Sequence, residues 1–196
     1  MDQQLLLAIN QGWASPGLDV FFAWISQGRA FSAPLLLGVL VFLGWRFGGA
    51  GAKFWLLAVV LVGLGDQVGA LLKFLTAQPR PCAELGDVVR RVDTLFRVNC
   101  SRYPNGWPSN HALNFFLFAT FTGYVLRWRA WVLGFLAVAT LVALSRVYLG
   151  VHYPSQILSG ALIGGALGLA GGWLGMRYLS LVQTVSTRAC SGGRDR

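Results

Sequence analysis

Long apolar runs separated by short polar or basic connections dominate the chain, and their lengths set the first expectation. A hydrocarbon layer is crossed by a helix of about 20 apolar residues. Runs at roughly 31–46, 54–75, 112–127, 130–148 and 154–178 reach or approach that length, which predicts five spans. The stretches 2–12 and 17–28 are shorter and of mixed polarity, broken at Ser15-Pro16 and interrupted by Asp19, Gln27 and Arg29. They read as helices of an N-terminal segment (1–30) lying at the membrane interface, with a sixth span through 17–28 as the alternative. Residues 76–110 form a polar loop and 179–196 a polar tail. The fold class is therefore all-α: a polytopic transmembrane helical bundle forming one domain over 1–196. In "SGALIGGALGLAGGWLG" the glycines recur at small-xxx-small spacing, which predicts close packing of the last span on a neighbour.

Composition strengthens this picture. The chain is 55% hydrophobic and only 12% charged, against about 25% charged in soluble domains. The first residues, MDQQLLLAINQGW, lack the basic region and cleavage site of a signal peptide, so the N-terminus is expected to be retained. The net charge of +9 is carried almost wholly by arginine. Because these arginines sit at span ends and in one loop, they speak for topology and an anionic ligand, not for nucleic acid. Arg46 and Lys53, Arg127 and Arg129, and Arg177, Arg188, Arg194 and Arg196 mark three regions as cytoplasmic. The N-terminus, the loop 76–110 and the turn 149–153 then face the exoplasm. Cys82 and Cys100 bracket that loop and form a candidate disulfide, with two separate thiols as the alternative; Cys190 lies in the tail.

This topology brings "KFLTAQPRP" (73–81), "PSNH" (108–111) and "SRVYLGVHYPSQ" (145–156) to one level. Together they supply Lys73, Arg80, Arg146, Ser109, His111 and His152 without a matching set of carboxylates, which is the composition of an anion site. Each cation alone would read as a snorkelling interfacial residue; their shared level favours phosphate. The two histidines, the only ones in the chain, fit a division between nucleophile and proton donor. Arg90, Arg91, Arg97 and Arg102 read as solvated or headgroup-facing. Asp66 lies seven residues, about 10 Å, before Lys73, and a structural hydrogen bond with Gln67 or a neighbouring span is expected for it. Glu84, Asp87 and Asp93 have no metal-ligand spacing. Tyr103, Trp107, Tyr148 and Tyr153 suit an aromatic interfacial belt.

Lys73 followed by six residues and Arg80-Pro81, then Pro108-Ser109-x-His111, then Ser145-Arg146 followed by five residues and His152, resemble the signature of the type-2 phosphatidic acid phosphatase superfamily. The resemblance implies a metal-independent phosphatase that needs no cofactor and works through a phosphohistidine. It assigns His152 as nucleophile, His111 as general acid, and Lys73, Arg80, Ser109, Asn110 and Arg146 as phosphate ligands. Two positions depart from the pattern: Asn110 stands where the family has Gly, and Gln156 where it has the Asp that orients the nucleophile. The implied substrate is a membrane lipid bearing a phosphomonoester or diphosphate. Undecaprenyl diphosphate is the leading candidate, beside phosphatidic acid, phosphatidylglycerol phosphate and a phosphorylated glycolipid. The implied setting is the bacterial inner membrane, multi-pass, with the site facing the periplasm. A catalytically weakened lipid-phosphate-binding protein, motivated by Gln156, and a lipid phosphotransferase are the alternatives. The oligomeric state is left open.

Overall fold

The computed structural model describes residues 1–96, 100 and 103–191. Nine α-helices are found among them: α1 (Asp2–Asn10), α2 (Pro16–Ile25), α3 (Ala33–Phe47), α4 (Gly49–Thr76), α5 (Pro81–Glu84), α6 (Asn110–Leu126), α7 (Arg129–Tyr148), α8 (Pro154–Tyr178) and α9 (Ser180–Ser191). Four helical segments, Gly28–Phe47, Gly49–Glu84, Arg129–Tyr148 and Pro154–Tyr178, are long and apolar enough to cross a membrane. The fifth expected span, α6, has 17 residues, about 25 Å of helix, and packs against α4, α7, α8 and α9 as the central helix.

Local sequence explains the boundaries. Ser15 caps α2, its hydroxyl accepting from the Leu18 N–H at 3.4 Å, and Pro16 supplies a ready-made first turn. With only ten residues, about 15 Å of helix, α2 is too short to cross a bilayer, which removes the sixth-span alternative. α6 stops where Arg127 turns left-handed, at φ 57°.

The glycine stripe of α8 sets the tightest contact of the bundle. Gly160, Gly164, Gly168 and Gly172 are buried one turn apart. A Cβ on Gly164 would come within 2.0 Å of the Leu113 carbonyl, and one on Gly168 within 2.4 Å of the Leu117 carbonyl. Only glycine lets the α8 backbone lie this close to α6. The parallel pair thereby brings the N-termini of α6 and α8 together, and the Ser109 N–H donates to the Gln156 carbonyl at 3.0 Å.

Two further elements add to the core. Within the polar tail, α9 is helical and sends Val182, Val185 and Ala189 into the core formed with Leu43, Phe54, Phe121 and Val125. The N-terminal helices contribute a core of their own. Leu6, Ile9, Phe22, Ala23 and Ile25 form a second core with Cys82, Val89, Val147, Tyr148 and Val151, closing over the loop end of the bundle. Tyr148, expected in the belt, is fully buried there, its hydroxyl donating to Asp19.

Candidate active site

The helix ends at this closed face carry the cations, the two histidines and Ser109 anticipated from the sequence. Lys73 comes from the last turn of α4, Arg146 from the last turn of α7, and Ser109 and His111 from the start of α6. Arg80 precedes α5, and His152 lies in the turn into α8. That turn is tied back on itself, the Val151 and His152 N–H groups both donating to the Arg146 carbonyl, at 3.0 and 3.2 Å. Gly150, at φ 69°, has Val89 lying where a Cβ would stand, so the turn both needs a positive φ and has no room for a side chain. The Cys82 N–H donates to the Gly150 carbonyl at 3.1 Å. Cys82 is bonded to Cys100, so the loop is covalently closed beside the turn.

The cations are held without carboxylates. Lys73 Nζ donates to the Pro108 carbonyl. Arg80 Nε donates to Asn105 Oδ1 at 2.8 Å, and Arg146 Nη1 to the Ser26 hydroxyl. Among the described residues the one ion pair is Arg90–Asp19, at 2.8 Å and away from this group. Arg146 is 5% exposed, and its Nε has no partner; the Ser109 hydroxyl is likewise buried without one. A buried guanidinium and a buried hydroxyl with unused hydrogen-bonding capacity, beside two further cations, form a cradle suited to an anion. No group of three or more His, Cys, Asp or Glu that could hold a metal is found among the described residues.

His152 is 2% exposed. Burial, reinforced by the charges of Arg146, Arg80 and Lys73, holds its imidazole well below the ordinary value of 6.5, so the ring is neutral at pH 7. Its tautomer follows from the neighbours of Gln156. Gln156 Oε1 accepts from the Tyr153 N–H at 3.2 Å, and its Nε2 donates to the Pro79 carbonyl at 3.0 Å. These two bonds fix which end of the amide is oxygen. The 3.1 Å contact between Gln156 Oε1 and His152 Nδ1 then requires the proton on Nδ1, which leaves the Nε2 lone pair free. Gly106 makes room for this arrangement, since a Cβ there would lie 2.5 Å from the Pro79 carbonyl and 2.6 Å from Gln156 Nε2.

Not every expected residue turns toward the cradle. Asn110 donates its amide to Asp66 Oδ1 at 2.7 Å, which holds its side chain against α4. Asp66 also receives Asn114 at 3.0 Å, so its partners come from a neighbouring span and not from Gln67. Arg90, expected to be solvated, is a brace. It pairs with Asp19, and its backbone N–H and Nε donate to Asn10 at 2.8 and 2.9 Å. Arg97, Arg102, Arg194 and Arg196 lie outside the described residues. Tyr153 donates to Glu84 at 2.9 Å, and burial together with that carboxylate pushes its hydroxyl up to about 12. Sequence reasoning missed Ser26 and Asn105, which hold Arg146 and Arg80. Both are neutral residues in stretches without chemical pattern.

A family model described as the PAP2 superfamily matches residues 52–178. A lipid A 4'-phosphatase of Bacteroides thetaiotaomicron is 33% identical over 178 residues, covering 89% of this chain and 75% of that protein. An undecaprenyl-diphosphatase of Sulfolobus acidocaldarius is 29% identical over 166 residues, covering 81% and 70%. The crystal structure of Aquifex aeolicus LpxE superposes with a TM-score of 0.65 at 26% identity, covering 87% of this chain and 93% of that one. The chain belongs to the PAP2 superfamily of membrane lipid phosphatases. With its membrane-length helices and bacterial relatives, it is a bacterial membrane protein.

Proposed function

We propose that the protein removes a phosphate from a membrane glycolipid through a phosphohistidine on His152, without a metal ion, at a site facing the periplasm from the inner membrane. The observation that carries this reading is the set of cations held by oxygens of neutral groups around a neutral, tautomer-fixed imidazole. Such a set is matched by a phosphate dianion and supplies the positive charge that a metal supplies elsewhere. His152 Nε2 attacks phosphorus as the P–O bond to the lipid breaks, and His111, protonated once the bound phosphate dianion offsets the surrounding cations, gives its proton to the departing oxygen. Water then attacks the phosphohistidine, His111 takes up the proton of that water, and inorganic phosphate leaves. Lys73, Arg80, Arg146 and the Ser109 hydroxyl hold the equatorial oxygens, while Gln156 keeps the His152 proton on Nδ1.

The similarity to lipid A 4'-phosphatase over 89% of the chain favours a phosphorylated glycolipid over the undecaprenyl diphosphate expected from sequence. The undecaprenyl-diphosphatase relative keeps the diphosphate as the second reading. Phosphate release by the purified protein in detergent, with chelator present, tests the proposal on both lipids. Release from the glycolipid, abolished in His152→Ala, is expected. Release only in the presence of added Mg²⁺, or unchanged release by the variant, overturns it.

A further inference from the structure

Beside His111 a cavity of about 300 Å³ opens between α3, α4, α6 and α7. Its wall is mostly apolar, with Leu36, Val62, Phe115, Phe118 and Phe135 among the lining residues, as suits a lipid chain. One polar feature interrupts it. Asp66, Asn110 and Asn114 line the same cavity, and both amides donate to one carboxyl oxygen, Oδ1 of Asp66, at 2.7 and 3.0 Å. The amide oxygens of Asn110 and Asn114 are buried without partners. A Cβ on Gly69 would lie 2.4 Å from Asn110 Oδ1, so that oxygen is packed on the α4 backbone. Oδ2 of Asp66 receives no hydrogen bond among the described residues.

A carboxyl group inside a membrane-spanning helix is costly unless it is used. Helix-to-helix adhesion accounts for Oδ1 alone, and an amide oxygen would serve that purpose equally well. The free oxygen is a hydrogen-bond acceptor in an apolar wall, two helical turns or about 10 Å below Lys73. We infer that Asp66 selects among lipid phosphates by accepting a hydrogen bond from a hydroxyl or amide N–H at the junction of headgroup and chain. This inference rests on the phosphatase reading above and names the substrate class within it. Lipids whose chains join through esters alone, or whose chains are pure hydrocarbon, offer acceptors or nothing there. Such lipids leave the carboxyl oxygen desolvated and unpaired, which is the stronger basis for discrimination.

Three micellar phosphomonoesters matched in chain length test this: an N-acyl glucosamine lipid phosphate with 3-hydroxyacyl chains, the same lipid without the chain hydroxyls, and phosphatidic acid. The wild-type kcat/KM is expected to be about 10-fold or more higher for the first than for phosphatidic acid, the scale of one hydrogen bond to a charged group. The middle substrate tells whether hydroxyl or amide is read. In Asp66→Asn the amide oxygen can still receive Asn110 and Asn114, while an N–H replaces the acceptor facing the cavity. The preference should then fall toward 1. A wild-type protein that hydrolyses all three equally, or a variant that keeps the wild-type preference, overturns the inference and leaves the phosphatase reading standing. A wild-type protein that releases phosphate from none of them overturns both.

Discussion

The two ends of the bundle are both rich in cations, yet they use them in opposite ways. At one end Arg46 stacks on Phe47 at 5.4 Å, and Arg177 lies 5.7 Å from the rings of Trp173 and Tyr178. Here the aromatic rings of Phe42, Trp128 and Trp131 pack against one another within 6.4 Å. These are the contacts of charges at a membrane boundary, with the guanidinium heads lying over aromatic rings. At the other end Arg146 is buried, and Lys73 and Arg80 are partly so, each held by an oxygen of a neutral residue. The lesson is that charge count does not mark a site. What marks it is the cost of burial borne without a carboxylate, because only an arriving anion offsets that cost.

Removing one cation at each end is the strongest way to break this contrast. Arg146→Ala should lower kcat/KM by about 1000-fold, the upper range for losing one preorganised donor to a transition-state charge. Arg177→Ala should leave it within about 2-fold; equal losses in phosphate release would erase the distinction. Arg146→Lys should recover little, since the ammonium cannot reproduce the fork that reaches both Ser26 and the phosphate.

Next in size is the closure of the loop end. The Cys82–Cys100 bond closes a loop of 18 residues' separation, and such loops contribute about 3 kcal/mol through the unfolded chain. Cys82→Ser with Cys100→Ser should therefore lower the Tm markedly, whereas Cys190→Ser, at an exposed free thiol, should not. Gly106→Ala should cost roughly 10-fold in kcat while sparing the Tm more than the disulfide variant does. Its Cβ displaces the Gln156 amide that holds the His152 tautomer, and loss of such an orienting group typically costs at least this much. A Gly106→Ala enzyme with unchanged kcat would separate tautomer control from turnover.

The smallest effect is on stability against pH. The folded imidazole of His152 resists protonation, whereas the unfolded one takes up a proton near 6.5. Stability is therefore fully present above that value and declines as pH falls below it. The Tm should drop between pH 6.5 and 5 in the wild type, and less steeply in His152→Gln. Parallel curves would show that His152 does not carry this dependence.

How much of this was legible in the sequence varies with the physics involved. Helices α3, α4, α7 and α8 announce themselves because lipid demands long apolar runs, and the glycine stripe of α8 because close packing demands a period. α9 does not: SLVQTVSTRACS is polar on average, so it lacks the long apolar run of a span, and its short stripe of Val182, Val185 and Ala189 reads as part of a polar tail. The reacting groups were legible because histidine and arginine are chemically rare in a membrane. Their supports were not, since Ser26 lies 120 residues from Arg146 and Asn105 is an ordinary loop residue. Arg90 looked like its solvated neighbours because nothing local reveals that Asp19, 71 residues away, faces it. Gln156 looked like a weakness, yet in the structure its amide makes three contacts at once, to His152, Tyr153 and Pro79. A carboxylate of the same length would set an oxygen against the Pro79 carbonyl, so the position is adapted to an amide.

The central claim, that His152 Nε2 is the atom that accepts the phosphoryl group, is tested most directly by trapping it. The His111→Ala protein can be mixed with radiolabelled lipid phosphate that has a good leaving group, quenched within one turnover, and mapped by peptide. The account predicts label on the peptide containing His152, stable to base and lost in acid, and absent from His111→Ala combined with His152→Ala. Label on any other residue, or release of phosphate at full rate with none bound to His152, would contradict it.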